Sequence, residues 1–151
     1  MVTTVAEAVF VDTNVLLAAT DEGRADHAGA VEVLQQWPAS GTVLYTSGQI
    51  LREYLVVTTR PTAVNGLGLS RRDAVVNVER LRTRLRFLDE SEKVGERLLA
   101  LVAETDCSGK QIHDANVVAT MLVHGIGTVV TRNTSDFSRF DRHIHVTPLK
   151  A

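Results

Sequence analysis

The sequence predicts an α/β domain whose centre is a mostly parallel sheet of about five strands flanked by helices. Three observations carry that expectation. Short runs of β-branched and aromatic residues alternate with stretches of helical periodicity, the pattern of strand–helix–strand crossovers. Most helical stretches have recognisable start and stop residues. No internal repeat, low-complexity tract or linker interrupts the 151 residues, a length that fits one domain over 1–151 and hides roughly 70% of the unfolded surface.

The elements follow in order. Ala8-Val9-Phe10-Val11 is an apolar run that stops at Asp12-Thr13-Asn14, so it reads as a buried strand and a turn. Residues 15–19 read as a short helix. A second helix is expected over 27–37, with Ala30, Val31, Leu34 and Trp37 on its apolar face and Pro38 as its stop. Residues 43–46 form the second strand. Ser47 is the expected N-cap of a helix that carries Ile50, Leu51, Tyr54 and Leu55 and ends at Arg60-Pro61. Residues 62–69, with Asn65-Gly66 and Gly68, read as a mobile loop. Ser70 and Asp73 form a capping pair for an arginine-rich helix whose buried face is Ala74, Val78, Leu81 and Leu85. Phe87-Leu88 is the third strand, and Ser91 caps a helix to about Glu104. Residues 112–124 form the next helix, ended by Gly125. Strands at 128–131 and 144–146 complete the sheet.

Composition excludes several classes. Hydrophobic residues at 44% and charged residues at 23% are globular proportions, which excludes a disordered chain. The one cysteine, Cys107, cannot make an internal disulfide and fits a reducing compartment. No apolar run approaches the roughly 18 residues that span a bilayer, and the N-terminus lacks the basic and apolar regions of a signal peptide. The expected location is cytoplasmic, with no membrane partner. A net charge of -2 argues against a globally basic nucleic-acid binder. A local basic surface is nevertheless present: residues 71–86 hold Arg71, Arg72, Arg80, Arg82, Arg84 and Arg86 against Asp73 and Glu79.

The acidic residues carry the chemistry. Asp12 follows a strand directly, and Glu53 lies on the helix after the second strand. Asp114 opens an otherwise apolar helix, and Asn133 and Asp136 follow the fourth strand. In a doubly wound sheet such positions converge on the carboxyl edge, where ligands sit near the switch in strand order. Two carboxylates about 5 Å apart repel by roughly 3 kcal/mol at an effective dielectric near 20. Several together raise their own pKa values or demand a cation. Oxygen-only ligands favour Mg²⁺ or Mn²⁺ over zinc, and such an ion activates water and neutralises charge on a phosphate. That chemistry points to hydrolysis of a phosphate ester. Each acid taken alone has a plainer reading: a turn residue for Asp12, a solvated helix residue for Glu53, a complement to the helix dipole for Asp114. The ordered set is what distinguishes them.

Four segments resemble one family. Phe10-Val11-Asp12-Thr13-Asn14-Val15-Leu16-Leu17 is similar to the opening motif of PIN domains, especially the VapC toxins of bacterial toxin–antitoxin pairs. Ile50-Leu51-Arg52-Glu53-Tyr54, Ile112-His113-Asp114-Ala115-Asn116 and Val130-Thr131-Arg132-Asn133-Thr134-Ser135-Asp136-Phe137 resemble the second, third and fourth motifs, in family order across residues 8–140. The resemblance implies a PIN-like, Rossmann-like fold, endoribonuclease activity dependent on Mg²⁺ or Mn²⁺, neutralisation by a cognate VapB-type antitoxin, and homodimerisation. By position, Asp12 and Asp114 would be the principal metal ligands, with Glu53 completing the cluster directly or through water. Thr13 and Asn14 would support the Asp12 turn, and Thr131 would order the site by hydrogen bonding. One position departs from the family: an amide, Asn133, stands where many members have an acid. Either Asp136 takes over its catalytic role, or the second metal position is weak.

The remaining features divide between function and packing. Arg80, Arg82, Arg84 and Arg86 read as contacts to RNA phosphates or to an acidic antitoxin segment, against a plain solvated face. His143 and His145 alternate on one strand without a third ligand nearby. His113 is a candidate partner of Asp114, Cys107 has no partner motif, and Trp37 continues an apolar face. Two rival functions are a degenerate PIN module that binds RNA or a protein without cutting, and a phosphoacceptor domain of the receiver type. The second would carry adjacent acids after the first strand and a lysine after the last, whereas Thr13 follows Asp12 and Lys150 is almost terminal.

Overall fold

The computed structural model describes residues 7–151; residues 1–6, which belong to the expected 1–151 domain and to the N-terminus read for a signal peptide, lie outside the described residues. Strands β1 (Ala8–Val11), β2 (Val43–Ser47), β3 (Arg86–Leu88), β4 (Thr128–Thr131) and β5 (His145–Pro148) form one sheet in the order β3-β2-β1-β4-β5. Every pairing is parallel. Helices α1 (Thr13–Thr20), α2 (His27–Ala39), α3 (Gly48–Thr59), α4 (Arg71–Arg82), α5 (Glu92–Glu104), α6 (Gln111–Val123) and α7 (Thr134–Phe137) fill the crossovers.

The core follows from the central strands. Val9, Phe10, Val11, Val129 and Val130 are almost wholly buried, as a parallel strand covered on both faces requires. The chain winds outward from β1 to β3 and then jumps back to place β4 on the other side of β1. This reversal opens a crevice between the carboxyl ends of β1 and β4. Asp12 stands at that point, its backbone N–H donating to Val130 O at 3.2 Å.

Several expectations needed correction. Helix α2 continues through Pro38 to Ala39. Pro38 has no N–H for Leu34 O, and Arg84 Nη1 donates to that carbonyl at 3.4 Å. Its buried face is Gly29, Ala30, Val33 and Leu34, with Val31 and Trp37 only half-buried. Ser47 holds the N-cap position of α3 but makes no side-chain cap; its Oγ is buried without a partner. Glu90 caps the helix instead, its Oε2 accepting from Gln49 N at 2.9 Å. Ser70 caps α4 as expected, accepting from Asp73 N at 3.0 Å.

The loop read as mobile is laid back along α3. Leu67, Gly68 and Leu69 donate their N–H groups to the carbonyls of Val57, Arg60 and Thr58. Gly66 lies so close to Arg60 O that a Cβ there would collide with backbone. Helix α4 ends at Arg82, so Arg84 and Leu85 lie beyond it and Arg86 opens β3. Strand β5 begins at His145, leaving His143 outside the strand, 3.6 Å from Glu104 through its Nε2. Gly125, at φ 71°, stops α6 as read from the sequence. Among the described residues no helix is long and apolar enough to cross a membrane.

Candidate active site

Asp12 is the centre of the crevice. It is the N-cap of α1, and its Oδ1 accepts from Thr13 N at 2.8 Å, where the helix dipole favours negative charge. Its Oδ2 accepts from Thr131 Oγ1 at 2.8 Å and from Asn14 Nδ2 at 3.3 Å. Asn14 also donates to Thr131 Oγ1 at 3.0 Å and accepts from Arg132 N at 3.0 Å, tying the end of β1 to the end of β4. Thr131 Oγ1 accepts from Asn133 N at 3.1 Å.

Glu53 reaches the same place from α3. Thr13 Oγ1 donates to its Oε2 at 2.5 Å, and Gln49 Nε2 donates to its Oε1 at 3.0 Å. Asp114, in the first turn of α6, and Asp136, in the first turn of α7, complete the acidic set. Asp12 is buried, Glu53 and Asp114 are half-buried, and Asp136 is exposed.

The charges act on one another. Burial pushes the Asp12 carboxyl up; the Thr131 hydroxyl and Thr13 amide pull it down, and repulsion from Glu53 and Asp136 pushes it up again. Asp114 is pushed up to about 7, first by burial and then by Asp12, Asp136 and Glu53, with Arg139 opposing. Among the described residues none of the four acids is paired with a lysine, arginine or histidine. An acidic pocket this poorly compensated fits a divalent cation, and an all-oxygen donor set suits Mg²⁺ or Mn²⁺. Among the described residues no three acid, histidine or cysteine side chains form a ready-made metal cage.

The other expected residues are dispersed. Arg80 and Arg84 line a groove of about 260 Å³ with Ala19, Leu34, Gln35 and Asn77, and none of the four acids borders it. Arg82 pairs with Glu79 at 3.5 Å and lies 5.9 Å from the centre of the Phe87 ring. Arg86 is in the edge strand. The Asn133 side chain is exposed and caps nothing. The His113 carbonyl accepts from Gln49, and His113 makes no hydrogen bond to Asp114 among the described residues. Cys107 is buried, Trp37 packs against the core, and His145 is exposed.

Three residues that sequence reasoning passed over join the site: Gln49, Asn116 and Glu90. Gln49 stands one helical turn before Glu53 on the same face of α3, a spacing that was the available signal. Asn116 was visible only as part of a motif. Glu90 carried no signal, because its role comes from the end of β3 lying beside the start of α3.

The profile of the PIN-domain family matches residues 9–143. This chain belongs to the PIN-domain family. Among relatives of this PIN domain, Ribonuclease VapC48 of Mycobacterium tuberculosis is 28% identical over 132 residues, covering 86% of this chain and 90% of its own. A crystal structure of M. tuberculosis VapC20, a sarcin–ricin loop cleaving toxin, has a TM-score of 0.61 at 25% identity and covers 80% of this chain and 86% of its own. VapBC2 of Rickettsia felis, bound to a DNA fragment from its promoter, gives a TM-score of 0.68 at 16% identity, covering 95% and 99%. The acidic crevice therefore stands on a PIN fold.

Proposed function

We propose that this PIN domain is the toxin of a VapBC-type toxin–antitoxin pair: a cytoplasmic, homodimeric endoribonuclease that hydrolyses RNA phosphodiester bonds with Mg²⁺ or Mn²⁺. A cognate VapB-type antitoxin neutralises it. The observation that carries the reading is the gathering of Asp12, Glu53, Asp114 and Asp136 from four separate segments, none of them paired with a cation among the described residues. Similarity to ribonuclease toxins supports the substrate class, and similarity to toxin–antitoxin complexes supports the partner.

Asp12 and Asp114 would hold the ion, with Glu53 completing the cluster and Asp136 supplying the charge that Asn133 lacks. Held by these residues, such an ion would supply the positive charge that activates water and offsets negative charge on the phosphate. Thr131, Asn14 and the Thr13 amide fix the Asp12 carboxylate, and the Thr13 hydroxyl and Gln49 fix Glu53. These groups hold their positions before substrate arrives, so little reorganisation accompanies reaction. Beside Glu53 a cleft of about 260 Å³, bordered by Arg52, Val56, Val57 and His113, offers room for a neighbouring part of the RNA. The Arg80 and Arg84 groove suits an acidic antitoxin segment better than RNA, since it does not border the acids.

The test is cleavage of a total RNA pool with end mapping, with and without EDTA, for the parent, Asp12→Asn and Asp114→Asn. Cleavage should stop with EDTA and in both variants. Full activity in either variant rejects the site, and RNA binding by the parent without cleavage in Mg²⁺ or Mn²⁺ would favour a non-cutting PIN module.

A further inference from the structure

We propose that Gln49 is a positioning residue for the acidic site and that the exposed Glu90 carboxylate sets the direction in which its amide points. The proposal rests on the nuclease reading above. The order is set outside the pocket, because a carboxylate can only accept hydrogen bonds while an amide has a donor end and an acceptor end. Glu90 Oε1 accepts from Asn116 Nδ2 at 2.7 Å, so Asn116 must present its amino group on that side. The same Nδ2 donates to Gln49 Oε1 at 2.7 Å. With its carbonyl turned toward Asn116, Gln49 must present its amino group to the pocket. There Nε2 donates to Glu53 Oε1 at 3.0 Å and to His113 O at 2.9 Å.

The relay has no slack. Each amide nitrogen carries two hydrogens, and each nitrogen here has two acceptors. Turning over Asn116 would set its oxygen against Glu90 Oε1 and Gln49 Oε1; turning over Gln49 would set its oxygen against Glu53 Oε1 and His113 O, and its nitrogen against Asn116 Nδ2. Glu90 Oε2 meanwhile accepts from Gln49 N at 2.9 Å, so one carboxylate both caps α3 and orders the amides.

The consequence falls on two proposed metal ligands. Glu53 is gripped at both oxygens, by Gln49 on one and Thr13 Oγ1 on the other. Gln49 also binds the carbonyl of His113, the residue immediately before Asp114. A single side chain, 5% exposed, thus sets the orientation of Glu53 and the spacing between α3 and the turn that carries Asp114. Outer partners of this kind change metal affinity by about 10–100-fold when lost.

The experiment uses the full chain and three variants: Gln49→Met, which keeps length and removes both hydrogen-bonding ends; Glu90→Ala, outside the pocket; and Asp12→Asn. Mn²⁺ binding is measured by calorimetry, kcat and KM on one RNA substrate, and folding by thermal melting. Gln49→Met should weaken Mn²⁺ binding about ten-fold and lower kcat by a similar factor, with KM unchanged. Glu90→Ala should move both quantities in the same direction by about three-fold. A folded Gln49→Met protein with parental Mn²⁺ affinity and kcat, or with a change in KM alone, overturns the proposal. Should that variant not fold, Glu90→Ala decides, and parental Mn²⁺ affinity there overturns it equally. Asp12→Asn separates the two readings. If it binds Mn²⁺ like the parent, the nuclease site itself is wrong; if it loses binding while Gln49→Met does not, only the relay is wrong.

Discussion

The acidic crevice and the arginine-rich stretch are opposites in how sequence and space relate. Asp12, Glu53, Asp114 and Asp136 are far apart in the chain, yet the charges of the other three all raise the Asp114 carboxyl. Arg80, Arg82, Arg84 and Arg86 are neighbours in the chain, yet the structure sends them to a groove, a Phe87 ring and an edge strand. Charge density along a sequence therefore says little about charge density on a surface. Strand order decides the first case, and the end of α4 at Arg82 decides the second.

The largest effects should come from the crevice. Asp12→Asn or Asp114→Asn should each lower RNA cleavage by about a hundred-fold or more, measured as initial rate at saturating Mg²⁺. Asp136→Asn, at the exposed rim, should cost about ten-fold. If Asp136→Asn is silent, the fourth acid belongs with the surface and the crevice shrinks to three.

Next comes a pH effect with a defined sign. The Asp114 carboxyl is raised from 3.8 to about 7, so the folded protein holds its proton where the unfolded chain has released it. Its contribution to stability is greatest while the proton is held and declines as pH rises from about 4 to about 7, where the buried charge must form among its neighbours. Metal-free parent protein should lose melting temperature across that window relative to Asp114→Asn. At pH 7 the variant should melt about 2–4 °C higher while being inactive. Mg²⁺ should stabilise the parent increasingly over the same range and Asp114→Asn far less. A variant that melts below the metal-free parent at pH 7 would show that Asp114 is not held against repulsion.

How much of this was legible beforehand follows the same contrast. Strands β1 and β4 were readable to the residue because both are short runs of β-branched or apolar residues with buried centres, bounded by polar or glycine residues. Asp12, Asp114 and Asp136 sit where a helix starts, positions that sheet topology brings toward one edge, whereas Glu53 stands midway along α3 and is marked by no such boundary. The end of α4 was misread because Leu85, in register with Ala74 and Val78, is buried in the turn beyond the helix. Pro38 was misread as a stop because the group that serves Leu34 O, Arg84, is distant in sequence. Glu90 was missed for a similar reason: no local pattern marks a cap supplied by another strand's end.

Charge reversal tests the arginines as a group. Arg80→Glu with Arg84→Glu should weaken binding of an acidic antitoxin about ten-fold and leave RNA cleavage within about two-fold. A ten-fold rise in KM for RNA would return the groove to the substrate and remove the contrast with the crevice.

The smallest predicted effects separate one arginine from another. Arg84 Nη1 donates to the Leu34 carbonyl that Pro38 leaves without its helical donor, so Arg84→Ala exposes a lone acceptor in α2. The expected loss is about 1 kcal/mol in denaturant unfolding. Arg82 makes an exposed pair with Glu79, with side chains 57% and 64% exposed, and solvent screens it. Arg82→Ala should therefore change stability by less than about 0.5 kcal/mol. If Pro38→Ala, which restores an N–H for Leu34 O, removes the Arg84→Ala penalty in the double variant, the arginine is serving the proline. If the two effects simply add, Arg84 stabilises the protein some other way, and its departure from the arginine cluster has no structural reason in α2.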